Sequence, residues 1–301
     1  MRISTALATT RPFFSFEFFP PKDDEGTQRL FATIETLRPL HPAFVSITYG
    51  AGGSSRTRTT QLAKRVAREL DLTVLAHVTC VGSSRAELRG VFDDLARAGI
   101  ENVLALRGDP PRGEPFAPAP GGFANASELI AMVKRNYGFC IGAAFYPQTH
   151  VEAESPQADL AHVAEKVDAG AEFLVSQLFF DNDAYFDFER RAREAGIGVP
   201  LLPGLMPVTN YEQITRFVAM CGATIPPKLR AAMEQRHGDE RAVEDLGVSY
   251  ASMQAIDLLH RGAPGIHFYT LNRSPATRAI VSGMLAASAW RPDFSREFTT
   301  L

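Results

Sequence analysis

One acid stands inside the aromatic run Phe-Phe-Ser-Phe-Glu-Phe-Phe-Pro-Pro-Lys at positions 13–22. In a strand, side chains alternate with period two. Phe14, Phe16 and Phe18 therefore share one face, and Ser15, Glu17 and Phe19 the other. An unpaired carboxylate in apolar surroundings costs several kcal/mol or has its pKa raised, so an acid such as Glu17 usually has a task. Pro20 and Pro21 end the strand. Further along, polar residues again come two apart: Ser46 and Thr48, then His77 and Thr79, then Arg107 and Asp109. Ser176 or Gln177 follows, and Tyr269, Asn272 and Arg273 come last. Acid, imidazole, guanidinium and hydroxyl groups gathered in one place could move protons and bind a polar ring system.

Positioning them takes strands whose ends meet. Eight β-branched or aromatic runs read as strands: Phe13 to Phe19, Ala43 to Tyr49, Thr73 to Cys80, Asn102 to Arg107, Cys140 to Tyr146, Glu172 to Phe180, Val199 to Met206 and Gly265 to Leu271. Segments of helical periodicity separate them: Thr27 to Leu37, Arg56 to Leu70, Arg85 to Ala98, Ser127 to Tyr137, Gln157 to Ala169, Ala184 to Ala195 and Tyr211 to Cys221, with Ala276 to Ala287 after the last strand. Ser84 and Ser127 are the candidate N-caps, Ser84 with Glu87 three residues on. Eight βα units predict a single (β/α)8 TIM barrel, an α/β fold whose functional residues project from the C-terminal strand ends. The stretch between Cys221 and Gly265 exceeds one helix and a loop. It predicts an extra helical elaboration before the last strand, with a helix from Glu240 to Leu259. The Pro/Gly-rich piece Asp109 to Gly122 predicts a long loop.

Several of these residues have an ordinary structural reading as well. Ser46, Thr48 and Thr79 taken singly are common strand residues, and His77 is equally a satisfied core histidine. No His-x-His or His/Cys cluster accompanies it, so no metal site is expected. His150, on a loop after the fifth strand, reads as a ligand contact. Glu17, Arg107 and Asp109 at one barrel mouth call for a function or full mutual pairing. The turn Gly50-Ala51-Gly52-Gly53-Ser54-Ser55 lacks the third glycine of a dinucleotide fingerprint. It keeps only a general suitability for phosphate at a helix start.

The 301 residues are 45% hydrophobic and 22% charged, a globular balance, and the formal charge is −3 with no basic block, so no nucleic-acid partner is expected. Cys80, Cys140 and Cys221 are isolated and read as reduced core thiols. Neither a signal-peptide core nor a membrane span is visible, which predicts a cytoplasmic enzyme acting on a small molecule.

The strand-end segments, in order, are Phe16-Glu17-Phe18-Phe19-Pro20-Pro21-Lys22, Ser46-Ile47-Thr48-Tyr49-Gly50, Ala76-His77-Val78-Thr79-Cys80, Ala105-Leu106-Arg107-Gly108-Asp109, Pro203-Gly204-Leu205-Met206-Pro207 and His267-Phe268-Tyr269-Thr270-Leu271-Asn272-Arg273. Together they resemble the bacterial, flavin-dependent 5,10-methylenetetrahydrofolate reductases over nearly the whole chain. The resemblance implies a barrel carrying FAD that takes hydride from NADH or NADPH and passes it, by a ping-pong relay, to 5,10-methylenetetrahydrofolate, giving 5-methyltetrahydrofolate. It implies catalytic roles for Glu17, as the acid that opens the folate's five-membered ring, and for Asp109, near the flavin and the pterin. It further implies flavin contacts at Thr48, His77, Arg107, Asp109, Tyr146, His150, Asp159 and Lys166, and substrate contacts at Glu17, Gln177, Tyr211, Tyr269 and Arg273. A homo-oligomer of single-domain subunits spanning 1–301, without the C-terminal regulatory domain of eukaryotic relatives, is implied too. For Glu17 to act as an acid it must hold a proton, and its phenylalanine flank is an expected cause of a raised pKa. Readings left open are a proline dehydrogenase-like barrel flavoenzyme acting on another small substrate and a non-catalytic ligand-binding barrel.

Overall fold

The computed structural model describes residues 1–9, 12–49, 56–110, 116–288 and 290. Its strands are β1 (Phe13–Phe18), β2 (Phe44–Ile47), β3 (Val74–Thr79), β4 (Asn102–Leu106), β5 (Cys140–Phe145), β6 (Phe173–Ser176), β7 (Leu201–Leu202), β8 (Gly204–Leu205) and β9 (Gly265–Tyr269). All pair in parallel, in the order β7-β6-β5-β4-β3-β2-β1-β9-β8. The helices are α1 (Ile3–Thr9), α2 (Asp24–Leu37), α3 (Arg56–Leu70), α4 (Arg85–Arg97), α5 (Ala126–Asn136), α6 (Pro156–Asp168), α7 (Asn182–Glu194), α8 (Tyr211–Cys221), α9 (Pro227–Glu234), α10 (Glu240–His260) and α11 (Pro275–Ala287). The barrel expected from the alternation of runs is present, and α9 and α10 are the elaboration before the last strand.

The seventh strand departs from expectation. In place of one run over Val199 to Met206 there are two dipeptides, β7 and β8, parted at Pro203. Proline has no N–H for the ladder, so the strand must break there. The break is also the seam of the barrel, because β7 pairs with β6 while β8 pairs with β9. The Pro203 carbonyl still accepts the His267 N–H at 2.9 Å, and the Gly204 N–H turns to Ser176 Oγ at 2.8 Å.

Two apolar layers follow from the strand alternation. Phe14, Phe16, Phe18, Val45, Ile47, Ala76 and Val78 face the helices and join the main core. Phe13, Phe44, Leu75, Leu104, Phe173 and Leu202 face inward and fill the lower lumen. Helix α1, which periodicity did not reveal, closes that lower end: Ile3 and Leu7, both under 2% exposed, pack into the inner cluster. Burying two such side chains contributes about 1.5–3 kcal/mol each. The helix is pinned by Ile3 N–H to Asn102 Oδ1 at 2.8 Å and by Arg2 to Glu172 at 2.8 Å. With the bottom plugged, polar chemistry is confined to the C-terminal mouth.

Caps were legible in part. Ser84 forms a reciprocal capping box with Glu87 at the start of α4. The cap of α5 is Asn125, whose Oδ1 accepts from Glu128 N–H at 2.9 Å, and not Ser127, which lies inside the helix. Asn125 holds the extended N-cap position, from which its side-chain oxygen can reach a free first-turn N–H, whereas Ser127 already lies inside the helix. The turn at 50–55 and residues 111–115 of the long loop lie outside the described residues. The loop's later part is held by a bridge between Ser84 and Gly122.

Candidate active site

Glu17 sits one residue before the end of β1 and points into the lumen, as the alternation requires. Register sets its neighbours: it lies beside Ser46 of β2 and Tyr269 of β9, and Ser15 lies beside His267. Among the described residues, the polar neighbours of the carboxylate all gather at one oxygen, Oε2. Ser46 Oγ donates to it at 3.3 Å, His267 Nε2 lies at 3.4 Å and His77 Nε2 at 3.5 Å. Beneath them Ser15 Oγ meets His267 Nδ1 at 2.8 Å. Ser15, Ser46 and His267 are at most 1% exposed, whereas the Glu17 side chain keeps 19% of its surface open.

This geometry overturns the expectation that the phenylalanines keep Glu17 protonated. Phe16 and Phe18 point away from it into the outer core, so the carboxylate's own surroundings are two imidazoles and a hydroxyl. Burial pushes its pKa up, but the hydrogen bond from His267, the charge interactions with His77 and His267 and the hydrogen bond from Ser46 outweigh burial. The net pKa is below the ordinary value. His77 behaves as a buried base: burial drives it down to about 4, against the opposing pull of Glu17, so the imidazole is neutral at neutral pH. Tyr269 is held well above the usual tyrosine range by burial and by the Glu17 charge. Its hydroxyl donates to the Ser176 carbonyl.

A second polar group occupies the opposite wall. The Tyr146 hydroxyl is pushed up to about 12 by burial first and the nearby Asp109 charge second, and it is hydrogen-bonded to Gln177. That resolves the choice on the sixth strand in favour of Gln177; the Ser176 hydroxyl instead accepts from Gly204 N–H in the barrel seam. The Tyr146 ring meets the His150 ring edge-on at 4.5 Å. Asp159 and Lys166, both on α6, brace this wall from behind. Asp159 Oδ2 accepts the His150 backbone N–H at 3.0 Å, and Lys166 Nζ donates to the Ala144 carbonyl at 2.9 Å. Burial pushes Lys166 below the usual lysine range, with the Asp159 charge opposing. Arg107 pairs with Glu152 and lies 4.7 Å over the Phe116 ring. Thr48 is held by its backbone, its N–H on the Phe18 carbonyl at 2.8 Å and its carbonyl on Thr59 Oγ1 at 3.0 Å.

Two residues expected here are not drawn into these groups. The Tyr211 hydroxyl donates to Glu234 of α9 at 2.8 Å, and Arg273 is exposed with no side-chain hydrogen bond or ion pair among the described residues. Conversely, sequence reading passed over His267. The signal was available, since His267 lies two residues before Tyr269 and so shares its inward face. Asn272 was noted only as polar: its amide brackets the Phe19 backbone, accepting from the N–H at 2.9 Å and donating to the carbonyl at 2.8 Å. Thr270 Oγ1 likewise holds the Glu17 carbonyl at 2.6 Å. Together they fix the end of β1.

The mouth has unmet polarity suited to a polar ligand. His77 Nε2 and Thr79 Oγ1 are buried with no hydrogen-bond partner among the described residues. Gly108 has φ +82, and a Cβ there would fall 2.6 Å from Val81 Cγ1, so only a glycine backbone passes beside Thr79. Arg107 and His150 supply cationic or donor groups suited to a phosphate-bearing chain, whereas Lys166, expected to join them, is committed to the Ala144 carbonyl. The described residues contain no group of three or more His, Cys, Asp or Glu that could hold a metal ion. Among the described residues, no helix is long and apolar enough to cross a membrane.

The chain is similar over residues 2–284 to the family model described as methylenetetrahydrofolate reductase. It is 39% identical over 267 residues to 5,10-methylenetetrahydrofolate reductase of Escherichia coli (strain K12), covering 88% of each. The Pectobacterium carotovorum 5,10-methylenetetrahydrofolate reductase is 36% identical, with 94% of this chain and 92% of the relative covered. The Arabidopsis thaliana protein methylenetetrahydrofolate reductase (NADH) 1 is 39% identical over 94% of this chain, which spans 50% of that longer relative. Among solved structures, an uncharacterized protein from Clostridium thermocellum that binds two copies of 5-methyl-5,6,7,8-tetrahydrofolic acid aligns with TM-score 0.61 at 13% identity, covering 93% of this chain and 96% of that one. That last likeness concerns the barrel alone. An acid on the lumen side of the first strand, a polar wall opposite it, and a family match spanning nearly every element together establish that this chain belongs to the methylenetetrahydrofolate reductase family.

Proposed function

We propose that the protein reduces 5,10-methylenetetrahydrofolate to 5-methyltetrahydrofolate with NADH or NADPH as donor and FAD as resident cofactor. The observation that carries the reading is the lumen-side carboxylate of Glu17, gripped through one oxygen, in a chain of this family. A bound flavin supplies hydride transfer between nicotinamide and folate. The residues' own work is distinct. Glu17 delivers a proton to the nitrogen that leaves when the five-membered ring opens, so that the C–N bond breaks to an iminium able to accept hydride. Asp109 and Gln177, facing Tyr146, serve to orient the pterin and bias the cofactor's electronics. Thr48, His77, Tyr146 and His150 would contact the cofactor, with Arg107 turned from Glu152 to a phosphate. Asp159 and Lys166 act from behind by holding the His150 and Ala144 backbones. Tyr269 lines the folate side, and Arg273, exposed, is placed to meet an anionic tail. Tyr211 contributes only if its bond to Glu234 is exchanged.

Glu17 carries a lowered pKa before substrate arrives, so the proton must be secured as ligand covers its open 19%. Removing that remaining water raises the carboxyl's proton affinity. Anaerobic stopped-flow spectroscopy on the flavin-loaded protein is the test: NADH should bleach the absorbance and methylenetetrahydrofolate should restore it. In Glu17→Gln the first phase should stay within about twofold and the second should slow by about 10²- to 10⁴-fold, the usual contribution of a general acid. Equal losses in both phases, or restoration by other acceptors but not by the folate, would refute the proposal.

A further inference from the structure

Below Glu17 the barrel carries a buried polar arm that no step above employs. The His267 ring is locked on every side. Its backbone N–H is tied to Pro203 at the barrel seam, it stacks on Phe44 at 5.7 Å with planes 20° apart, and it meets Tyr269 edge-on at 5.4 Å. Its two nitrogens face different partners: Nδ1 has Ser15 Oγ at 2.8 Å, and Nε2 has Glu17 Oε2 and Ser46 Oγ, each at 3.4 Å.

The donor directions follow from the groups themselves. An ionised carboxylate only accepts, so the stable arrangement puts the imidazole proton on Nε2, toward Oε2. Nδ1 is then a bare acceptor, filled by the Ser15 hydroxyl. The opposite tautomer would set a lone pair of Nε2 against a carboxylate oxygen. Every hydrogen bond and ion pair of the carboxylate with described residues falls on Oε2, and none on Oε1. This inference rests on Glu17 being the acid proposed above.

We propose that Ser15 and His267 form a tautomer-fixed positioning pair, in which Ser15 selects the Nε2–H form of His267 so that this imidazole grips one oxygen of Glu17 and presents the other to substrate. The pair sets how readily the acid parts with its proton, since the grip stabilises the ionised form. The other groups facing Glu17 are Ser46 from β2, His77 from β3 and Tyr269 from β9. His77 and Tyr269 are neutral near pH 7, so His267 is the partner whose proton placement matters.

The test needs no folate, which separates it from the activity reading. In ¹⁵N-histidine NMR of the wild-type protein at neutral pH, the resonances lost in His267→Gln should show the Nε2–H tautomer, and the Nδ1–H tautomer would overturn the proposal. In Ser15→Ala, the Glu17 carboxyl followed by ¹³C labelling should titrate about one pH unit higher, the worth of one charge-assisted hydrogen bond weakened. His267→Gln, whose amide can still donate, should move it less. Unchanged titration in folded Ser15→Ala would equally overturn the assignment. If the activity reading holds as well, the folate half-reaction's pH profile should shift by the same amount while NADH reduction does not.

Discussion

His77 offers the sharpest quantitative handle on the site, because the residue is 5% exposed and its protonation is opposed mainly by burial. In the folded chain it titrates at about 4 against an ordinary 6.5. As pH falls through 6.5 the unfolded chain takes up the proton first, so folding stability is present in full above 6.5 and is lost down to about 4. At 1.36 kcal/mol per pH unit this gap corresponds to about 3 kcal/mol. The perturbation is His77→Gln, which keeps a polar group of similar reach but cannot titrate. Urea unfolding at a series of pH values from 7.5 to 4 reads the difference. Wild type should lose about 3 kcal/mol more than the variant over that range, with the gap opening below pH 6.5. Parallel stability curves would refute a neutral, desolvated His77. Glu17 provides an internal sign check, since its charge pulls His77 upward. In Glu17→Gln the imidazole should fall further, and the acid loss assigned to it should grow.

Two other predictions concern chemistry and packing. With Glu17 below its ordinary pKa, its protonated fraction falls as pH rises, so at limiting folate the second half-reaction should slow by up to tenfold per pH unit throughout the range above the ordinary carboxylate pKa. NADH reduction should show no such slope, and a flat folate profile between pH 5 and 8 would sink the acid assignment. At Gly247 of α10, an added Cβ would lie 1.8 Å from the Val208 carbonyl oxygen of the loop after β8. Gly247→Ala should destabilise by about 1–3 kcal/mol in denaturant unfolding, and a neutral effect would show that α10 does not press on that loop.

Much of the architecture is written locally. The spacing of apolar runs foretold eight βα units, and the period-two alternation put Ser15 and Glu17 inward and Phe14, Phe16 and Phe18 outward, as found. The capping box at Ser84 needs only four residues and was legible for that reason. Three features were not. The strand break at Pro203 could be read as a proline, but its use as the barrel seam depends on β6 and β9 arriving on either side of it. Helix α1 is too short to show a period, and it exists because an apolar hole at the bottom of the barrel receives Ile3 and Leu7.

The third feature is the proton affinity of Glu17. Sequence alone determined that one carboxylate would stand in the lumen beside aromatic neighbours, and those neighbours pointed to a raised pKa. Tertiary structure decided the opposite, because the phenylalanines adjacent in sequence turn to the other face of the sheet. The groups that touch the carboxylate, Ser46, His77 and His267, lie 29, 60 and 250 residues away along the chain. Electrostatic surroundings are set through space, so no reading of nearby residues could have supplied them.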